Sequence, residues 1–222
     1  MDHSSPQSAA GPAAADLPEP RFVDERLVVF DKPSGLLSVP GIGPEKADCL
    51  VARAQIRWPG CRIVHRLDRD TSGLIVLARD AEAHRFLSIE FQERRVGKRY
   101  VAVVAGGPAA DAGEIDLPIR KDLEDPPRQR ICHEHGRPAL TRWRVRERAA
   151  DRTRLELRPH TGRSHQLRLH LKVIGHPILG DDLYAPPGIR AMAPRLLLHA
   201  EGLEFTHPEG GRRMSLEVPA PF

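Results

Sequence analysis

Two carboxylates, two guanidinium groups and an imidazole occupy six consecutive residues, His65-Arg66-Leu67-Asp68-Arg69-Asp70, and Thr71-Ser72-Gly73 then leads into the apolar run Leu74-Ile75-Val76-Leu77-Ala78. An aspartate fixed at the mouth of a strand among arginines is expected to be ionised at neutral pH and held in one orientation. That suits a nucleophile or an electrostatic stabiliser better than a neutral general acid. The plainer alternative is a turn carrying surface ion pairs. Asp68 and Asp70 are too close in sequence to be taken as a carboxylate pair spanning a glycosidic bond. His65-Arg66-Leu67-Asp68 lacks the His-Arg-Asp order of a kinase catalytic loop, and no Walker motif and no GxGxxG after a strand occurs, so a nucleotide cofactor has no support.

A second concentration lies at His160-Thr161-Gly162-Arg163-Ser164-His165-Gln166-Leu167-Arg168-Leu169-His170. Gly162 can bring backbone close to a ligand, and Ser164 is placed to cap a helix over 164–174. Arg168 is a natural partner for a buried carboxylate, while His165 and Gln166 can bond ribose or phosphate. The bland alternative is a basic helix start at the surface. Tyr100 alone reads equally well as a strand-core aromatic. Cys49, Cys61 and Cys132 form no CxxC pair, which fits a reducing cytosol, and His133 and His135 near Cys132 have no second ligand cluster, so no metal is expected.

These residues need a scaffold, and 222 residues suffice for one sizeable core or two small lobes on a shared sheet. Residues 1–20, rich in Ala, Pro and Ser, read as a flexible tail. Strands are predicted at 26–30, 74–78, 98–104, 140–147, 153–158, 196–198, 203–206 and 214–218. Helices are predicted around Leu50, Val51 and Ala54, over 81–95 with Gly97 as terminator, and over 164–174. Residues 121–138, with several prolines and no durable pattern, read as a long functional loop. Many strands, few helices and no repeated βαβ unit imply an α+β fold with a mixed, mainly antiparallel central sheet and flanking helices.

Charge is segregated. Between Arg128 and Lys172 there are 13 Lys and Arg against 4 Asp and Glu, in a chain whose total is only +4. Such a basic block points to nucleic acid. In the strand over 140–147, Arg142 and Arg144 alternate with Thr141, Trp143 and Val145, so one face can pack while the other offers guanidinium groups to phosphates. Aromatics at 5% argue against a binder that works by stacking many bases. No signal peptide or membrane-spanning run is read.

The ordered segments Asp31-Lys32-Pro33-Ser34-Gly35-Leu36, His65 to Gly73, Lys98-Arg99-Tyr100, Gly162 to Arg168, Gly175-His176-Pro177-Ile178-Leu179-Gly180-Asp181 and Leu196-Leu197-Leu198-His199-Ala200 together resemble the RluA family of RNA pseudouridine synthases. The resemblance covers nearly all of the chain after the tail. It implies one catalytic domain over 21–222 without an S4 domain, acting as a cytoplasmic monomer with no cofactor, no metal and no obligate protein partner. It implies structured stem-loops in 23S rRNA and tRNA as substrates. By it, Asp68 acts on the uridine, Tyr100 stacks on the base and assists at C5, and Arg168 pairs with Asp68. Arg66 enters the stem where the target nucleotide has left it, Leu197 or Leu198 lines the base pocket, and Arg163 and His165 contact the backbone. Asp68 either attacks C1′ or removes the C2′ proton. The rivals are a family member restricted to rRNA or tRNA, a noncatalytic RNA-binding module and a nucleoside hydrolase.

Overall fold

The computed structural model describes residues 17–222; most of the expected tail lies outside the described residues, and Pro20 already opens a strand. The chain runs β1 (Pro20–Val23), β2 (Leu27–Lys32), α1 (Leu50–Arg57), β3 (Arg62–Ile63), β4 (Ser72–Ala78), α2 (Ala81–Gln92), β5 (Gly97–Ala105) and β6 (Ala112–Asp116). It continues through β7 (Ile119–Lys121), β8 (Gln129–Ile131), β9 (Leu140–Arg148), β10 (Arg152–Pro159), α3 (Gln166–Val173), α4 (Pro187–Arg190), β11 (Leu198–Thr206) and β12 (Arg213–Glu217).

A strand apolar at every position must be covered on both faces, and β4 is buried throughout. Leu74, Val76 and Ala78 join the core beneath α2, with Leu87 and Phe205, while Ile75 and Leu77 join the core beneath α1, with Phe30 and Leu50. A third core packs Leu167 and Leu171 of α3 on Ala102, Val104, Leu155 and Leu157. The strand order is β1-β2-β4-β11-β5-β10-β9-β6, with β3 on β4 and β12 on β11. Every pairing is antiparallel except β4 with β11. That parallel join is tight: Gly73 has φ +114°, and a Cβ on it would come within 2.3 Å of the Ala200 carbonyl oxygen. Only glycine closes this contact.

Several boundaries differ from the sequence reading. β1 precedes the expected first strand. α2 stops at Gln92, and the left-handed residue that ends it is Arg94, φ +60°, not Gly97, which already belongs to β5. Of the expected strand over 196–198 only Leu198 belongs to β11, which also takes in 203–206 and whose register shifts between Ala200 and Gly202. Residues 121–138 are not one loop, because β7 and β8 pair there. α3 begins at Gln166, after His165 in the left-handed region, so Ser164 does not cap it.

Candidate active site

The loop between β3 and β4 that carries Asp68 is held from beneath by residues 32–38. The Lys32 ammonium is fully buried and donates to the carbonyls of Pro33 (2.9 Å), Leu36 (2.7 Å) and Arg69 (2.9 Å). Ser34 Oγ donates to Asp70 O, and the Gly35 N–H to Arg69 O. Ser38 Oγ donates to Leu67 O and accepts the Leu67 N–H. Backbone on both sides of Asp68 is thereby fixed. Burial pushes Lys32 down to about 7, opposed by the carboxylates of Asp70 and Asp68. Lys32→Met leaves the carbonyls of Pro33 and Leu36 without that donor and Arg69 O with the Gly35 N–H alone, and we expect it to cost about 3–5 kcal/mol. Urea denaturation measures this; a loss below about 1 kcal/mol would show that the ammonium is dispensable.

Asp68 opens onto a cavity of about 580 Å³ lined also by Arg66, Tyr100, Arg168 and Leu198. Tyr100 reaches it from β5, at the centre of the sheet, paired with Leu157 of β10 and Ala200 of β11. Burial, and then the Asp68 carboxylate, raise the Tyr100 phenol well above its ordinary range, so it stays protonated. His65 stacks on Phe91 at 4.4 Å and accepts the Val76 N–H on Nε2. Burial, and then Lys98, push it down to about 3, so this imidazole is neutral.

The wall opposite is the turn before α3. Gln166, buried, accepts from the Thr161 hydroxyl (2.7 Å) and the Arg163 N–H (3.0 Å) and donates to Leu140 O and Thr141 Oγ1. This clamp sets Gly162 and Arg163 at the cavity edge. Arg168 Nη1 stands 4.0 Å from Asp68 Oδ2, an outer-limit ion pair. Its short bonds go elsewhere: to Asp181 at 2.8 and 2.5 Å, and to Asp182 at 2.8 Å. The Tyr184 ring lies under the Arg168 guanidinium at 5.4 Å, and its hydroxyl meets His165 Nδ1 at 2.8 Å.

Of the residues expected from sequence, Asp68, Tyr100, Arg168, Arg66, Arg163, His165 and Leu198 all line this one cavity. Leu197 does not; it packs against the third core. Arg142 and Arg144 also stand apart, on β9. Arg142 bonds Glu114 at 2.5 Å and Arg144 bonds the buried Glu156 at 2.8 Å. Against the cost of burial, hydrogen bonds from Arg144, Arg146 and Arg158 bring Glu156 down to about 2. The sequence reading missed Lys32, Asp181 and Tyr184. A lysine two residues past the apolar run Leu27-Val28-Val29-Phe30 was the available signal for the first. Among the described residues no group of three or more His, Cys, Asp or Glu is placed to hold a metal ion, and no helix is long and apolar enough to cross a membrane.

The chain belongs to the RNA pseudouridylate synthase family, whose sequence pattern matches residues 26–172, and its mixed, mainly antiparallel sheet is that of enzymes that isomerise uridine in RNA. Within that class it is a pseudouridine synthase of the RluA family. It is 51% identical over 202 residues, 90% of this chain and 92% of the relative, to the dual-specificity RNA pseudouridine synthase RluA of Escherichia coli K12. It is 49% identical over 200 residues, 90% of this chain and 91% of the relative, to the protein of that name from Pasteurella multocida. The structure of human RNA pseudouridylate synthase domain containing 1 superposes with a TM-score of 0.78 at 27% identity, covering 96% of this chain and 87% of the human one.

Proposed function

We propose that the chain isomerises uridines in both 23S rRNA and tRNA anticodon stem-loops, as a cytoplasmic monomer, with Asp68 as the reacting carboxylate. The observation that carries the assignment is the cleft itself: among the described residues lining it, Asp68 is the one carboxylate, beside Tyr100 and Arg168. The reaction breaks N1–C1′, turns the retained uracil and forms C5–C1′; C5 loses its proton and N1 gains one, so no water is consumed. A carboxylate beside the ribose serves either by attack at C1′ or by taking the C2′ proton. Tyr100, protonated, offers its ring face to the base and, being no base itself, can serve at C5 only by relaying that proton, giving up its own hydroxyl proton as it takes one up. Arg168, locked to Asp181, presents its third nitrogen to Asp68 without being free to collapse onto it.

The target nucleotide must leave its stack to enter, at a cost of a few kcal/mol that is smaller in a loop than in a duplex. Arg66, exposed beside Asp68, would then occupy the gap; its exposure at the cleft supports that reading. Leu198 closes the base pocket, and Arg163 and His165 hold the adjoining backbone.

Mapping pseudouridine in total RNA before and after deletion of this protein tests the reading. We expect loss at sites in both rRNA and tRNA, restored by the wild-type chain and not by Asp68→Ala. Loss in one class alone would make the enzyme single-substrate, and free uracil released from a stem-loop would make it a hydrolase.

A further inference from the structure

The cations of this chain divide by whether a carboxylate faces them. On β9 and β10 they are paired: besides Arg142 and Arg144, Arg146 reaches Glu156 at 2.9 Å, Arg148 reaches Asp111 at 2.9 Å and Arg158 reaches Glu156 at 2.9 Å. Around the cleft, Arg168 apart, the pattern reverses. Arg66, Arg94, Lys98, Arg137 and Arg163 line it, and among the described residues none of the five is ion-paired. Where their side chains have polar partners, these are uncharged: Lys98 Nζ donates to Thr161 O at 3.3 Å and Arg163 Nε to Pro138 O at 3.1 Å.

These groups also feel one another. Burial, and then Arg94, push Lys98 down to about 8; burial, and then Arg137 and Arg94, lower Arg163. Like charges gathered on one wall without counter-charge oppose each other until an anion arrives. Arg94 adds a separate observation. It sits at φ +60°, in a turn closed by Arg94 N–H to Phe91 O and Arg95 N–H to Glu90 O. Glycine fits that conformation without the steric penalty a side chain brings. The turn does not need an arginine, and strain of this kind concentrates at ligand clamps.

We propose that Arg94, Lys98 and Arg137, together with Arg163, form a cradle at the cleft mouth for RNA phosphodiester groups flanking the nucleotide that enters it. The cradle rests on the reading of this cleft as the site of uridine isomerisation. Guanidinium forks match phosphate oxygens, and several cations along one wall suit successive phosphates. The β9 and β10 arginines gain less from a phosphate, because each must first loosen its hold on a carboxylate.

The test measures binding of a stem-loop RNA by fluorescence anisotropy between 50 and 200 mM salt, with every protein carrying Asp68→Asn so that no turnover intervenes. We expect Arg94→Gly, Lys98→Met and Arg137→Gln each to weaken binding about 3- to 10-fold and to lower the slope of log affinity against log salt by roughly 0.7–0.9. Arg94→Gly should meanwhile keep or raise the melting temperature, which no merely structural role for Arg94 would do. Arg152→Gln, which removes a cation held by Asp151 away from the cleft, should change neither affinity nor slope. The proposal falls if the three variants bind like their parent, or if the salt slope follows Arg142→Gln and Arg144→Gln instead. Pseudouridine formation by the chain with Asp68 intact separates the two claims. An active chain with unaffected variants removes the cradle alone, and a chain that neither binds the RNA nor modifies it removes both.

Discussion

Asp68→Asn should abolish pseudouridine formation, lowering turnover at least about 10³-fold, the scale on which loss of a reacting side chain is felt. Asparagine keeps the size of the side chain and removes its negative charge, so it neither attacks C1′ nor accepts the C2′ proton. The fold has little reason to respond. Among the described residues no hydrogen bond of the Asp68 side chain holds the loop, which is fixed through backbone by Lys32, Ser34, Gly35 and Ser38. Arg168 keeps its short bonds to Asp181. RNA affinity should therefore stay within about threefold, since phosphate contacts carry most of it. Release of label from RNA tritiated at C5 of uridine reads turnover directly, because that hydrogen is lost when C5 joins C1′. Undiminished release by the mutant would dismiss Asp68 as the reacting group.

What the sequence allowed to be read follows from how local each signal was. β4 was legible because a short, unbroken apolar run that follows Gly73 and stops at Arg79-Asp80 reads as a strand covered on both faces, and the charged turn before it then lies at the edge of that cover. The convergence of Asp68, Tyr100 and Arg168 rested on the family resemblance, because spacing says nothing of which strands become neighbours. Long-range pairing stayed hidden for the same reason. Arg168 called for a carboxylate, but its dominant partner, Asp181, lies beyond the helix in a loop that reads as an ordinary turn. The arginines of β9 looked like a free phosphate-binding row, yet Glu156 comes from the neighbouring strand and Glu114 from β6. The end of α2 was misplaced because Gly97 carried the usual terminator signal while Arg94 adopted the conformation. Leu197 and Leu198 could not be separated by type, since both are apolar and only the strand's start decides which faces the cleft.

Asp181→Asn should show that the arginine at this site is held chiefly by a residue other than the one it serves. Asp181 is completely buried; one oxygen accepts from Arg168 and from the N–H groups of Leu183 and Tyr184, and the other accepts from Arg168 Nε. Asparagine can retain the first set, but its NH2 meets the Arg168 Nε–H donor, and the buried guanidinium loses its main counter-charge. Removing one partner of a buried pair costs about 3–5 kcal/mol, far more than the pair itself contributes over an apolar substitute. We expect a loss of that size in urea. Asp182→Asn, on a half-exposed carboxylate, should cost less than about 1 kcal/mol. Below the mutant's melting range Arg168 keeps its bond to Asp182 at 2.8 Å but has lost the two that fixed its orientation, so the guanidinium can turn toward Asp68 and close the 4.0 Å gap to it. An Asp68 carboxylate tied in a short ion pair is a poorer nucleophile or base, so kcat should fall about 10- to 100-fold while KM for RNA changes little. A variant that loses stability yet keeps kcat would reduce Asp181 to a packing role; one that keeps both would mean that Arg168 does not depend on this carboxylate at all.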